Sequence, residues 1–267
     1  MTSPQLPLLR TAVVITAQSA LRAEPAHRSE MVSELIFGDR VVVYETIKDT
    51  WAYIETEFDH YKGYCLLNQL KHVNSKQFAK PISKIAGHNG GSLRGKAWQM
   101  PIPTGADLSL LRKGVLFPDV AAHHYYGHQL SLKDVQINED LPLIAHSFLH
   151  APYLWGGRTR NGIDCSGLVQ MCYRTIGIPI LRDASQQATM GTDLYFVKEL
   201  KMGDLVFFDN EQGHINHVGM MLNATDIIHA SEQNGLVAID KLDAEGIISR
   251  KLKKRTHRIR LMKRLLK

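Results

Sequence analysis

From residue 138 onward the chain sets two segments of helical period ahead of four short β-type runs, and that order is the strongest constraint on its fold. In "EDLPLIAHSFLHAPYLWGG" the apolar residues Leu141, Ile144, Ala145, Phe148 and Leu149 recur at helical spacing, and Pro152 closes the segment. "CSGLVQMCYRTIG" predicts a second helix, with Leu168, Val169, Cys172 and Ile176 on one face and Gly177 as its stop. "DASQQATMGTDL" suits a third. The runs "GDLVFFDN", "HVGMMLN", "DIIHAS" and "LVAID" then read as strands. Helices first and strands after is an α+β pattern.

The first half has a different texture. "TAVVI", "DRVVVYET", "WAYIET" and "KGYCLL" are rich in β-branched and aromatic residues, with turns supplied by "FGD" and "FDHYKG". Such closely spaced short strands predict a small barrel. A linker-like patch, "KIAGHNGGSLRG", leads into a second β-flavoured stretch, "KAWQMPIPTGADL", "KGVLFPD" and "YYGHQL". The two stretches end on similar phrases, "YKGYCLLNQL" and "YYGHQLSLKDV", which suggests a repeated small β unit. The expected domains are therefore 1–76, 77–136 and 137–267.

Charge and cysteine usage narrow the function classes. The chain carries a net +6, but ten Lys/Arg and no Asp/Glu fall between Arg250 and Lys267, so the rest is net negative. The basic tail has no aromatic residue to stack on bases; it reads as the solvated end of a strand or helix, and no nucleic-acid partner is expected. Cys65, Cys165 and Cys172 are an odd count without paired spacing, which favours a reducing compartment. The apolar patch "AVVI" is too short for a secretion signal and is broken by Gln18 and Ser19, and no run of 18 apolar residues predicts a membrane span. A cytoplasmic monomer is the expectation.

Cys165 carries the chemistry. It stands at the predicted N-terminus of the second helix, where unpaired amides and the helix dipole favour a thiolate. That is the nucleophilic form. Cys172, two turns on, reads as core. A thiol nucleophile needs a base and the base needs an orienting partner. His217 opens the strand "HVGMML" and His229 lies in "DIIHAS", with the tight turn "NATD" between them. In such a hairpin both imidazoles face one side, His217 to take the proton and His229 to hold the ring. A zinc set of His214, His217, Cys165 and His229 is the competing arrangement, but no CxxC or HExxH pattern supports it, so no metal or other cofactor is expected.

These residues resemble the NlpC/P60 family of papain-like cysteine peptidases. "PYLWGGRTRNGIDCSGLVQ", "DASQQ", "KMGDLVFF", "HVGM" and "IIHAS" fall in that family's order between about residues 138 and 258, and Cys165 and His217 are 52 positions apart, as suits the family. "LRAEPAHRSEMVSELIFGDRVVVYE" with "WAYIETEFDHYKGY" resembles a bacterial SH3 domain. The resemblance implies a papain-like NlpC/P60 catalytic domain preceded by two small SH3-like β-barrels. It also implies a γ-D-glutamyl-L-diamino acid endopeptidase that recycles free cell-wall peptides. The substrate would be L-Ala-γ-D-Glu linked to meso-diaminopimelate or lysine, with a free N-terminal amine.

The same resemblance implies the roles. Cys165 is the nucleophile, His217 the base, His229 the third polar residue, and Tyr153 an oxyanion donor beside the Cys165 amide. Asp164 and Glu30 would receive the substrate amine, with Glu34 the alternative to Glu30. Tyr61 would wall the pocket, with Tyr64 the alternative. Trp155, Ser166 and Ser185 carry over to substrate contacts. Asp164 alone is equally an N-cap, Glu30 a surface charge and Trp155 a core residue. The rival enzyme is a secreted endopeptidase acting on intact peptidoglycan with SH3 domains as wall-binding modules. The rival from another class is a binding module with an inactive peptidase domain.

Overall fold

A computed structural model describes residues 10–111 and 124–266. The run "KGVLFPD" lies outside the described residues. The chain divides into two compact units, 1–133 and 134–267.

The first unit begins with seven strands: β1 (Arg10–Val14), β2 (Gln18–Arg22), β3 (Met31–Ile36), β4 (Arg40–Ile47), β5 (Trp51–Thr56), β6 (Lys62–Leu66) and β7 (Leu70–His72). They form one antiparallel sheet in the order β3-β2-β6-β5-β4-β1-β7. Alternating residues of these strands, among them Val14, Leu21, Leu35, Val41, Ile54 and Cys65, have no exposed surface and make one core. Burial pushes the Cys65 thiol up to about 12, so it is an inert core residue. After the one-turn helix α1 (Ser75–Phe78), β8 (Lys84–Arg94), β9 (Gln99–Ile102) and β10 (His124–Ser131) make a three-stranded antiparallel sheet. A buried ion pair ties the two sheets of this unit: Arg40 Nη2 donates to Asp107 Oδ2 at 2.8 Å. Gly38, at φ +85°, lies so close to the Asp107 carbonyl that a β-carbon would sit 2.2 Å from its oxygen.

The second unit is built from α2 (Ile137–Ser147), the two-residue strands β11 (Arg158–Thr159) and β12 (Gly162–Ile163), α3 (Cys165–Thr175), α4 (Ala184–Gln187) and β13 (Thr192–Leu194). Then come β14 (Leu205–Asp209), β15 (Ile215–Met221), β16 (Asp226–Ser231), β17 (Leu236–Leu242), β18 (Gly246–Ser249) and β19 (Lys254–Arg264). The sheet runs β13-β19-β14-β15-β16-β17-β18, and β18 pairs back onto β19, so strands β14 to β19 close on themselves. All eleven residues of α3 are buried.

The helices-then-strands order holds, with three differences in detail. The first helix stops at Ser147, before Pro152, and His150 turns the chain at φ +66°. The third predicted helix is a single turn, Ala184–Gln187, because Gly191 (φ +72°) turns the chain and Thr192–Leu194 pairs with β19. The basic tail is a strand bonded on both sides rather than a free end: β19 pairs β14, β13 and β18, and Met262 and Lys263 are buried. No helix among the described residues is long and apolar enough to cross a membrane.

Candidate active site

Cys165 is the first residue of α3, and Asp164 is its N-cap. The Asp164 carboxylate accepts from the amides of Gly167 at 2.7 Å and Gly156 at 2.8 Å. It also accepts two bonds from Arg182, at 2.6 and 3.0 Å, and a longer one from the Ser166 hydroxyl at 3.3 Å. Arg182 is 1% exposed and Asp164 5%, so this is a buried bidentate ion pair. Arg182 also donates to the Ser166 hydroxyl at 2.9 Å, and the Gln187 side chain donates to the Ser166 carbonyl at 3.0 Å. Gly167 lets the helix approach this closely: a β-carbon there would lie 2.4 Å from the Gly157 carbonyl oxygen. The glycines of "WGG" and "DCSG" are thus two sides of one contact.

The sulfur is buried, 6% exposed, and lies against β15, with Sγ 4.0 Å from the Asn216 carbonyl. Burial, then the Asp164 charge, pushes the Cys165 thiol up to about 12; the amides of Val218 and Ser166 pull the other way. The expected resting thiolate is therefore corrected. The helix N-terminus does aid the anion, but desolvation and a carboxylate one residue away outweigh it.

His217, the expected base, is also neutral at rest. Burial holds His217 well below the ordinary imidazole value, and the neighbouring His257 and His229 rings add to this. His217 Nε2 and His229 Nδ1 are 2.8 Å apart, and His229 Nε2 is 3.1 Å from Asp240 Oδ2. Burial raises the Asp240 carboxyl, but hydrogen bonds from His229, the Arg250 amide and Asn234 outweigh it and hold the group below its usual value. An ionised Asp240 must accept, so His229 carries its proton on Nε2 and presents a lone pair at Nδ1. His217 then donates from Nε2, and its Nδ1 is left as the free base. The tautomers are set from the carboxylate outward.

Local backbone features bring these rings together. Met220 pairs with Ile228 and Met221 with Ile227 across the β15–β16 hairpin, which puts Gly219 opposite His229. A β-carbon on Gly219 would lie 2.7 Å from the Ile227 side chain and 3.2 Å from the His229 β-carbon, so the glycine of "HVGM" makes room for His229 beside His217. A bulge between Phe208 and Asp209 on β14 leaves Asn216 as an extra residue in β15, next to His217.

Tyr153 is half-buried. Burial, with Cys165, Asp164 and Glu232 close enough to act on it, pushes its hydroxyl above the ordinary value, so it stays a donor. Its amide donates to the Gly235 carbonyl at 2.9 Å, which fixes it at the start of β17. Tyr153 and His217 line a cavity of about 650 Å³ with His257, Glu211, Glu232 and Arg258 among its other walls.

Trp155 is 60% exposed, which removes the core reading for it. Ser166 is buried, and Ser185 is exposed on α4. In the first unit Glu30 is exposed just before β3, whereas Glu34 is 3% exposed and accepts from Gln18 Nε2 at 2.9 Å. Tyr61 packs partly against that unit's core.

Three polar residues were not anticipated. Asp240 ends the relay, Arg182 neutralises Asp164, and His257 stacks on His217 with centroids 4.2 Å apart and planes 19° apart. Burial lowers His257 to about 4. His217, His229 and His257 each place a ring nitrogen within 4.8 Å of the others, close enough to hold a metal ion together. Two of those nitrogens are already joined by the 2.8 Å bond, so a cation would displace the relay. His214, of the competing zinc set, is on an exposed turn and outside this group.

Comparison with known proteins places this geometry. Residues 150–256 match the NlpC/P60 family, and residues 21–70 match the bacterial dipeptidyl-peptidase Sh3 domain. Dipeptidyl-peptidase 6 of Lysinibacillus sphaericus is 28% identical over 88% of this chain and 92% of its own length. The probable endopeptidase NlpC of Escherichia coli is 34% identical over 41% of this chain and 76% of its length. The gamma-D-glutamyl-L-lysine dipeptidyl-peptidase of Bacillus subtilis is 36% identical over 38% of this chain, and the chain spans 34% of that relative. The crystal structure of an NlpC/P60 family protein from Bacillus cereus superposes with a TM-score of 0.78 over 96% of this chain and 100% of that one, at 22% identity.

Proposed function

Because the chain belongs to the NlpC/P60 family and is a peptidase, we propose that it hydrolyses the γ-D-glutamyl–diamino acid bond of free cell-wall peptides, using Cys165 as nucleophile. The observation that carries this is the ordered relay from Cys165 on α3, against the strand of His217, through His229 to Asp240. In the reaction the thiol proton passes to His217 Nδ1 as Sγ bonds to the γ-carbonyl carbon of D-glutamate. The oxyanion takes hydrogen bonds from the Tyr153 hydroxyl and the Cys165 amide. The imidazolium gives its proton to the leaving nitrogen as the C–N bond breaks, leaving a thioester. Water, deprotonated by His217, then releases L-Ala-γ-D-Glu and restores the thiol.

Moving one proton from sulfur to nitrogen leaves the net charge of the buried pair unchanged. Asp240 stabilises the positive charge that forms on the imidazoles. For a free N-terminal amine on the substrate, the family resemblance assigns Glu30 as the acidic partner and Tyr61 as a pocket wall. Asp164, whose oxygens already accept from five donors, contributes negative potential and holds Ser166 in place. Trp155, Ser166 and Ser185 complete the substrate contacts. Requirement for a free amine fits a monomeric cytoplasmic enzyme of peptide recycling.

The test compares L-Ala-γ-D-Glu-diaminopimelate with its N-acetylated form, insoluble peptidoglycan, and a Cys165→Ala control. Cleavage of the free peptide alone, absent in the variant, is expected. Equal turnover of the acetylated peptide or of intact wall would replace this reading with the wall-hydrolase one.

A further inference from the structure

The cavity beside His217 has a charge pattern that the reaction itself does not use. A base that protonates the leaving nitrogen must face the amine side of the scissile bond. Space walled by His217 and His257 therefore receives the residue that leaves. Three of its walls carry charges with no side-chain partner among the described residues: Glu211, Glu232 and Arg258. Four other basic residues of β19 are paired: Arg255 with Asp243 at 2.6 Å, Arg260 with Asp209 at 3.6 Å, Lys263 with Asp193 at 2.8 Å and Arg264 with Asp204 at 2.6 Å.

The local backbone aims Arg258 into this space. Alternation along a regular strand would send neighbouring side chains to opposite faces. Yet Thr256, His257 and Arg258 all line the cavity. The register of β19 slips twice here, between its pairings with Ile247 and Ile248 and between those with Phe207 and Phe208. Bulges of this kind re-aim side chains.

Resting on the reading above, we infer that this cavity is the subsite for the leaving residue and that it selects a side chain ending in a zwitterionic α-amino-acid group. Glu211 and Glu232 would take the ammonium and Arg258 the carboxylate. Meso-diaminopimelate ends in such a group. Lysine offers the ammonium only and leaves the guanidinium without an anion. Glu232 and Tyr153 line the same cavity, so the ammonium would bind in the space that the oxyanion donor also borders.

The experiment uses two tetrapeptides, L-Ala-γ-D-Glu-X-D-Ala, with X either meso-diaminopimelate or L-lysine. Placing X inside the chain removes its α-carboxylate as a competing partner for Arg258. The intact protein should favour the diaminopimelate peptide by about tenfold in kcat/KM, mostly through KM. Arg258→Ala should bring the ratio of the two kcat/KM values near one, and Arg258→Lys should restore part of it. Glu232→Gln should raise KM for both peptides. Equal kcat/KM for the two peptides in the intact protein, or an unchanged ratio in Arg258→Ala, overturns the subsite while leaving the peptidase reading in place. A preference for the lysine peptide, the residue in the name of the Bacillus subtilis relative, overturns it equally. Hydrolysis of neither peptide overturns the reading of the reaction and the subsite with it.

Discussion

Two buried aspartates stand at the two ends of the proposed catalytic relay, and they are stabilised in opposite ways. Asp164, before Cys165, is held by the fixed charge of Arg182 and by two backbone amides. Asp240, at the far end of the histidine relay, has the His229 imidazole, an amide and an Asn side chain. The first set has no proton to pass on; its charges do not change in any step of the reaction. The second carries an uncompensated negative charge that becomes favourable only when a histidine is protonated. One carboxylate therefore holds geometry and the other prepares for the charge that catalysis creates.

The largest separation between the two sides should come from the base. His217→Ala should lower kcat by roughly 10²–10⁴-fold, the range for general acid–base catalysis, with little change in melting temperature. A fall of less than threefold would remove the relay from the mechanism. On the other side, Arg182→Ala leaves the buried Asp164 charge without its cation and should destabilise the unit by about 3–5 kcal/mol. Urea denaturation measures this; a loss under 1 kcal/mol would mean the pair does not hold the N-terminus of α3. If the two aspartates differ as described, Asp240→Asn should cost about 10- to 100-fold in kcat at a nearly constant KM and melt close to the parent. An equal loss of stability and activity would instead make Asp240 a second structural anchor.

The smallest effect concerns His257. Its folded-state value is about 4, against 6.5 as its ordinary value. Between those pH values the unfolded chain binds the proton and the folded one does not. Stability is thus fully present above about pH 6.5 and is lost as pH falls toward 4, on the order of 3 kcal/mol in total. His257→Phe should flatten that part of the pH–stability curve; an unaltered slope would place the titrating group elsewhere.

What could be read from the sequence follows from how locally each feature is encoded. Cys165 with its cap lies within one stretch of chain, and His217 and His229 are joined by a four-residue turn, so spacing sufficed. Asp240 sits in "LVAID", an ordinary strand, and meets His229 only through the pairing of β16 with β17. Arg182 reaches Asp164 across 18 residues, and His257 belongs to a tail whose charge suggested a solvated end. Its position is fixed by three strand pairings and two register shifts, none of which leaves a local signal. The ionisation of Cys165 is not legible in the sequence for a related reason. A helix N-terminus can be read from neighbouring residues, whereas burial depends on strands some fifty residues away.

The central claim is that Cys165 rests as a thiol and becomes a nucleophile only by passing its proton to His217. Thiolate absorbance near 240 nm, titrated in the intact protein and in Cys165→Ala, tests it directly, because the difference isolates one sulfur from Cys65 and Cys172. The account predicts no difference signal below about pH 8, consistent with a thiol pushed up to about 12. A thiolate step with a midpoint near pH 6 or lower would show a preformed ion pair and contradict it.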